Sequence, residues 1–209
     1  MEDGFVRKDI GGGTYWLEPQ TRTLSDGFSR EAWLENIAEP LMTDFSRAHS
    51  WPLSLTMPSQ TDMVVLVRTD HLTPLKFSPI PVGHRVSMIQ SSAGLIYLAS
   101  IPAERCNLLL DLLSRMQPLK DSPHIGRDKR ALAHLKNIRQ QGYCLIESTP
   151  KVSSLSLPIR LRHSIIACIS LRIFTTAMTK PQIKSNFFPR LRELATDISG
   201  AISLAQPFD

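Results

Sequence analysis

The segment with the clearest capacity for chemistry is a run of small residues, Ser91-Ser92-Ala93-Gly94, that leads into an apolar stretch. Small residues in the first turn of a helix leave its free backbone N–H groups accessible. These groups and the helix dipole favour an anion by roughly 0.3–1 kcal/mol. The segment therefore predicts either a helix start that binds a carboxylate or an ordinary serine-capped helix that binds nothing.

A second group of candidate binding residues lies in the apolar run 165–174, which predicts a long strand. Side chains alternate along a strand, so Cys168, Ser170 and Arg172 share one face. The opposite face is apolar: Ile169, Leu171 and Ile173. A strand that packs one apolar face against helices and exposes serine and arginine on the other is suited to form the floor of a small-molecule binding cavity. Arg172 either makes a bidentate bond to a carboxylate or is an edge-exposed strand residue.

Other classes of site have little support. Three cysteines lie far apart and match no zinc spacing, and the six histidines form no close pair, so we expect no metal and no cofactor. The glycines at 11–13 are not followed by the lysine and helix of a phosphate loop. A thiol-dependent enzyme using Cys144 or Cys168 remains an alternative, although neither has an activating histidine beside it in sequence.

Composition and charge set wide limits on function. A chain of 209 residues can bury a full domain core and a smaller piece. The net charge of +5 is compatible with nucleic-acid contact, but the basic residues are spread along the chain and do not demand it. We see no signal peptide and no apolar run approaching about 18 residues, which predicts a cytoplasmic protein without a membrane partner.

The elements around these residues alternate between strands and helices. Residues 4–18 predict a β-hairpin around the three glycines, and an apolar stripe from Ser29 to about His49 predicts a helix that Pro40 should kink or locally break. Strand-like segments at 53–57, 63–67 and 75–77 are joined by turns so short that the strands must be antiparallel.

Helices and strands also follow the small-residue run. Residues 102–116 and 128–141 predict helices that bury Leu108, Leu109, Leu112, Leu113, Leu132, Leu135 and Ile138. After a strand at 154–159 and the strand at 165–174, a last helix begins near Thr179, with Pro189 expected to distort it. The pattern predicts an α+β fold, a curved antiparallel sheet flanked by helices.

The segment 81–98 resembles the central signature of the effector-binding domain of IclR-family transcription regulators. The similarity rests on the turn at Pro81 and Gly83, the Ser-Ser-Ala-Gly helix start and the continuation 100–105. The step from Arg139 through Gly142-Tyr143 into a strand also resembles the family, and the hairpin resembles the wing of a winged helix-turn-helix. This implies a GAF/profilin-like effector domain over 50–209, a linker and linker helix over 19–49, and a wing hairpin over 1–18.

The resemblance also implies function: a regulator that senses a small organic acid and forms a homodimer or homotetramer. It binds DNA only if the helices that precede the wing are present in the native chain. The resemblance assigns effector binding to Ser92, Ala93, Val86, Ser154, Ser170, Arg172 and Glu147. It assigns DNA contact to Arg7 and Lys8 in the wing. Where many family members have a second serine, this chain has Arg172, which departs from the family pattern.

Further similarities to the family narrow the expected class of ligand. The sequence near Phe28, Trp33, Trp51 and 63–65 is most similar to the family's activators of hydroxyphenylpropionate catabolism, which implies an aromatic acid as ligand. The recognition helix should lie just before Met1 and is not in this sequence. A truncated chain, a misplaced start and a free-standing sensor that does not touch DNA all remain open.

Overall fold

The computed structural model describes residues 6–8, 15–17, 33–78, 80–116 and 129–205. Near the N-terminus, strands β1 (Val6–Lys8) and β2 (Tyr15–Leu17) pair antiparallel, with Arg7 opposite Trp16. Two paired strands are therefore present where the sequence predicts a hairpin. The glycine turn between them lies outside the described residues.

Helix α1 (Glu39–His49) follows a π-helical turn, Leu34–Ala38. The Glu39 N–H donates to the Leu34 carbonyl, five residues back, immediately before Pro40. Proline has no N–H to donate, so the regular hydrogen-bond ladder changes at this point. The predicted local break at Pro40 is confirmed, whereas the predicted start at Ser29 lies outside the described residues.

Six strands form one curled, antiparallel half-barrel sheet in the order β5-β4-β3-β8-β7-β6. The long strands β7 and β8 lie next to each other near its centre, and β8 pairs with β3 on its other side. The strand bounds are β3 (Leu53–Ser59), β4 (Asp62–Arg68), β5 (Arg85–Ser87), β6 (Cys144–Thr149), β7 (Val152–Leu161) and β8 (Ser164–Phe174).

Helices cover both faces of this sheet, so the predicted α+β fold is confirmed. Helix α1 and the long C-terminal helix pack on one face, and the short central helix packs on the other, where every residue from Ser92 to Ala99 is buried. A helix that is apolar on all sides belongs in an interior. The remaining helices are α2 (Ser92–Ser100), α3 (Ala103–Met116), α4 (Lys129–Gln141) and α5 (Lys180–Ala205). Among the described residues, no helix is both long and apolar enough to span a membrane.

The predicted strand at 75–77 is wrong. A 3-10 turn, Asp70–Leu72, is followed by backbone that bonds locally: Leu75 N–H donates to Thr73 Oγ1 at 2.9 Å, and Phe77 N–H to the Leu75 carbonyl at 3.1 Å. Both sides of the preceding strand β4 are already paired, with β3 and β5. The segment therefore has no free strand edge to pair with beside β4. It instead forms part of the wall of a cavity beside the sheet.

Two helices bury a different set of side chains from the one predicted. Leu108 and Leu112 are 70% and 46% exposed, and Leu132 is 52% exposed, so their predicted burial is wrong. Leu109 and Leu113 face the core as predicted, and helix α3 also turns Cys106 and Leu110 toward it. Leu135 and Ile138 are buried as expected. Helix α5 continues through Pro189 without interruption and buries one apolar stripe: Ile183, Phe187, Leu191, Leu194, Ile198 and Ile202.

Candidate ligand-binding site

A cavity of about 720 Å³ lies between the polar face of the sheet and the start of α2. Sites for small molecules have volumes of roughly 300–1,000 Å³. Polar residues of the sheet form its floor: Ser54, Thr56, Ser154, Ser170 and Arg172. Apolar side chains form much of the remaining lining: Val65, Phe77, Ile80, Val86, Val152 and Phe174.

The alternation of β8 builds this floor. Ser170 and Arg172 line the cavity, while Ile169, Leu171 and Ile173 are buried in the core on the opposite face, as the sequence predicts. Register brings the neighbouring strands into line, because Ser170 lies opposite Ser54 on one side and Ser156 on the other. Arg172 likewise lies opposite Ser154.

The first turn of α2 presents free donors to the cavity. The Ser91 side chain caps the helix by accepting the Gly94 N–H at 3.0 Å. The amides of Ser92 and Ala93 precede the first intrahelical bond, from Leu95 to Ser91, and no acceptor within the described part of the chain binds them. Both residues line the cavity. Two amide donors are therefore available to an anion there.

Gly94 holds this helix start against the chain that precedes it. A β-carbon built at Gly94 would lie 2.2 Å from the Met88 carbonyl oxygen and 2.4 Å from its α-carbon. Only glycine fits without a backbone shift. The orientation of the two free amides is therefore fixed by close backbone packing.

A chain of serine hydroxyls joins the helix start to the floor. Ser156 donates to Ser92 Oγ at 2.6 Å, and Ser156 and Ser170 are also 2.6 Å apart. The Ser156 proton is used toward Ser92, so Ser170 must donate to Ser156. The hydrogen of Ser92 itself is left for a third partner, beside the two free amides. Ser156 was not among the predicted binding residues, although it shares a strand face with Ser154.

Arg172 already has partners within the protein. It lies in a central strand and is buried, so the edge-exposed alternative is wrong. Its Nη2 forms an ion pair with Asp70, and its Nη1 donates to the Ser78 carbonyl at 3.1 Å. Its guanidinium carbon lies 5.0 Å from the Phe77 ring centre. Burial and the nearby Arg68 lower the pKa of Arg172 to about 10, so the side chain stays charged at neutral pH.

Six of the seven predicted effector-binding residues line the cavity: Val86, Ser92, Ala93, Ser154, Ser170 and Arg172. Glu147 does not. It is exposed on β6 and lies opposite Ser153 of β7, which does not line the cavity either. Arg7 is in β1, and Lys8 ends it. Sequence analysis also missed Phe77 and Phe174, whose rings stack with centres 4.1 Å apart.

The thiols are separate from this site. Burial raises the pKa of Cys144 to about 12 and also raises the pKa values of Cys106 and Cys168. A thiol that does not ionise is a poor nucleophile. None of the three lines the cavity. Over the residues that the structure describes, no group of three or more histidine, cysteine, aspartate or glutamate residues is placed to hold a metal ion.

Comparison with known proteins places this geometry in context. The family model described as "Bacterial transcriptional regulator IclR C-terminal" matches residues 30–200. A transcriptional regulator from Rhodococcus sp. RHA1 superposes with a TM-score of 0.79 at 22% identity, over 97% of this chain and 80% of that one. An IclR homolog from Microbacterium hydrocarbonoxydans, complexed with 4-hydroxybenzoate, gives 0.70 at 23% identity over 94% and 79%. A double mutant of the PobR inducer-binding domain from Acinetobacter, in complex with 3-hydroxybenzoic acid, gives 0.65 at 18% identity over 78% and 96%.

Proposed function

Because the chain belongs to the IclR family of bacterial transcriptional regulators, we propose that its cavity senses a small aromatic carboxylic acid and that occupancy controls DNA binding. The observation that carries the proposal is the pair of free amides at the start of α2, facing a cavity with stacked aromatic rings. The two relatives with hydroxybenzoate ligands support an aromatic acid as the class of effector. An acid of the hydroxyphenylpropionate type belongs to the same class.

The two ends of the proposed ligand bind to different parts of the cavity. The amides of Ser92 and Ala93, with the Ser92 hydroxyl, bind the carboxylate at the positive end of the helix dipole. Val86 and the Phe77–Phe174 stack pack against the ring. Ser154 and Ser170 line the floor and already donate to other serines, so they accept a hydrogen bond from a polar substituent such as a phenolic hydroxyl. Glu147 has no part in this arrangement.

The regulatory step is differential binding. An acid that prefers one arrangement of the subunits of a homodimer or homotetramer shifts the population toward that arrangement. The wing strands then carry the change to DNA, where Arg7 and Lys8 contact phosphates. We place this regulator in the cytoplasm, where it meets both the acid and its operator.

The test is isothermal titration calorimetry with 4-hydroxybenzoate and 3-(3-hydroxyphenyl)propionate, with hexanoate as an aliphatic comparison. Two variants at one position separate the amide from the hydroxyl. Ser92→Ala removes only the hydroxyl, and Ser92→Pro also removes the N–H. Ser92 is the first helical residue and follows Ser91 in extended conformation, with φ −92° and ψ 150°, so proline is compatible with the helix.

We expect Ser92→Ala to weaken binding of the aromatic acids by about threefold to tenfold and Ser92→Pro by a further factor of about ten. Equal affinities for the two variants would show that the backbone N–H of residue 92 does not bind the carboxylate. A wild-type protein that binds none of the acids would refute it altogether.

The DNA step needs its own measurement. The affinity of the protein for DNA from its own promoter region should change when the acid is added. Replacing Arg7 and Lys8 by alanine should weaken that affinity and reduce its dependence on salt. A free-standing sensor would bind the acid and show no such DNA affinity.

A further inference from the structure

The buried cation of the cavity floor has its own counter-ion. Arg172 lines the cavity, whereas Asp70, on the 3-10 turn, lies outside its lining and forms an ion pair with the guanidinium. The two side chains are only 11% and 12% exposed. The pair is therefore shielded from solvent, and its charges act on each other with little screening.

Both terminal nitrogens of the guanidinium already have a partner within the protein. One arm is bound to Asp70, another donates to the Ser78 carbonyl, and the Phe77 ring covers one side. A carboxylate that approached Arg172 from the cavity would meet the negative charge of Asp70 behind it. Arg68 also lies 4.0 Å from Asp70, but it is 31% exposed and does not line the cavity, so its charge is more strongly screened by solvent. The start of α2, in contrast, offers amide donors that no described residue accepts from. The cavity thus has one strong anion position and a second position that is already compensated.

We propose that Asp70 makes the cavity selective for monocarboxylates over dicarboxylates, by neutralising the arginine that would otherwise bind a second carboxylate. This inference rests on the proposed function, that the cavity binds acids at the helix start. Asp70 acts through Arg172 and is a specificity-determining residue that does not itself touch the ligand.

The other cations around the cavity do not replace Arg172. Lys76 and Lys151 line the cavity but are exposed, and Arg85 is held by Asp62 at 3.0 Å. Exposed charges are hydrated and screened by salt, so they attract anions without fixing a carboxylate in one place. Selectivity between one and two carboxylates therefore depends on the buried pair.

The test compares 4-hydroxybenzoate with terephthalate, which differ only in the group para to the shared carboxylate. We expect the wild-type protein to prefer 4-hydroxybenzoate, and Asp70→Asn to shift the ratio of the two dissociation constants toward terephthalate by about tenfold or more. Asp197→Asn, at an exposed position of α5, changes the net charge equally and should leave the ratio unchanged. An unchanged ratio in folded Asp70→Asn would overturn the proposal.

A second variant guards against loss of folding, since Asp70→Asn leaves Arg172 charged and unpaired. Asp70→Asn combined with Arg172→Gln removes both charges, and circular dichroism reports whether each variant folds. In the double variant we expect 4-hydroxybenzoate affinity within about threefold of wild type and terephthalate binding no tighter than in wild type. Loss of 4-hydroxybenzoate binding there would mean that Arg172 binds the single carboxylate, and would refute the role given to Asp70. If the wild-type protein binds neither acid, the proposed function itself fails.

Discussion

Replacing Arg172 by methionine should be among the most destabilising single changes in this domain. The substitution keeps the aliphatic stem but removes the closer partner of the Asp70 carboxylate, which is 12% exposed and keeps only Arg68, at 4.0 Å and 31% exposed. Removing one member of a buried ion pair costs about 3–5 kcal/mol of unfolding free energy. The bond to the Ser78 carbonyl and the contact with Phe77 are lost as well. Because the pKa of Arg172 is about 10, the loss should not vary with pH around neutrality.

The chain contains a matched pair for comparison. Arg85 and Asp62 also form an ion pair beside the cavity, at 3.0 Å, but their side chains are 48% and 35% exposed. Water solvates both charges there, so Arg85→Met should cost only about 0–1 kcal/mol. The two substitutions are chemically identical, and burial is what separates their expected effects.

Urea denaturation followed by circular dichroism measures both losses, provided that the slope with denaturant concentration is unchanged. Asp70→Asn combined with Arg172→Met should be less destabilised than the sum of the two single variants, because the one charge left without its partner, Arg68, is 31% exposed and hydrated. The reasoning is refuted if Arg172→Met costs no more than Arg85→Met, or if the two single effects simply add.

Three further measurements follow from the described contacts. Burial and the nearby Arg190 lower the pKa of His49 below 6.5, so the unfolded chain takes up the proton first and stability should fall as pH decreases below that value; His49→Gln should flatten this part of a pH series of urea titrations. Gly94→Ala should cost about 1–3 kcal/mol by overpacking against Met88, whereas Gly200→Ala, with nothing within 4 Å, should stabilise α5 by about 0.4–1 kcal/mol. The three buried thiols, those of Cys106, Cys144 and Cys168, should not react with Ellman's reagent in the native protein and should react fully in urea. Labelling of the native protein would contradict their burial.

Local patterns in the sequence predict the sheet and most of the cavity floor. The alternation of serine and arginine with isoleucine and leucine in β8 assigns each side chain to a face without any knowledge of the neighbours. The same rule applied to β7 places Ser156 with Ser154, and applied to β3 it places Ser54 with Thr56. Those three missed residues, Ser54, Thr56 and Ser156, were therefore within reach of the sequence.

The partner of Arg172, in contrast, could not be predicted from the sequence. Asp70 is 102 positions away from it, and nothing in the local sequence distinguishes it from other surface aspartates. Periodicity also cannot choose among closely spaced leucines: in α3 it identifies an apolar helix but not whether Leu108 or Leu109 faces the core. The segment at 75–77 has the composition of a strand, but whether it forms one depends on the availability of a neighbouring strand edge. Contacts between distant segments decide all three.

The close approach of Gly94 to Met88 has an entropic consequence for recognition. Since the backbone that offers the amides is fixed before a ligand arrives, binding of an anion there requires little loss of conformational freedom by the protein. A fragment as small as acetate or formate should therefore occupy the helix start detectably, although it fills little of the 720 Å³ cavity. The rest of the cavity then determines which acids are retained.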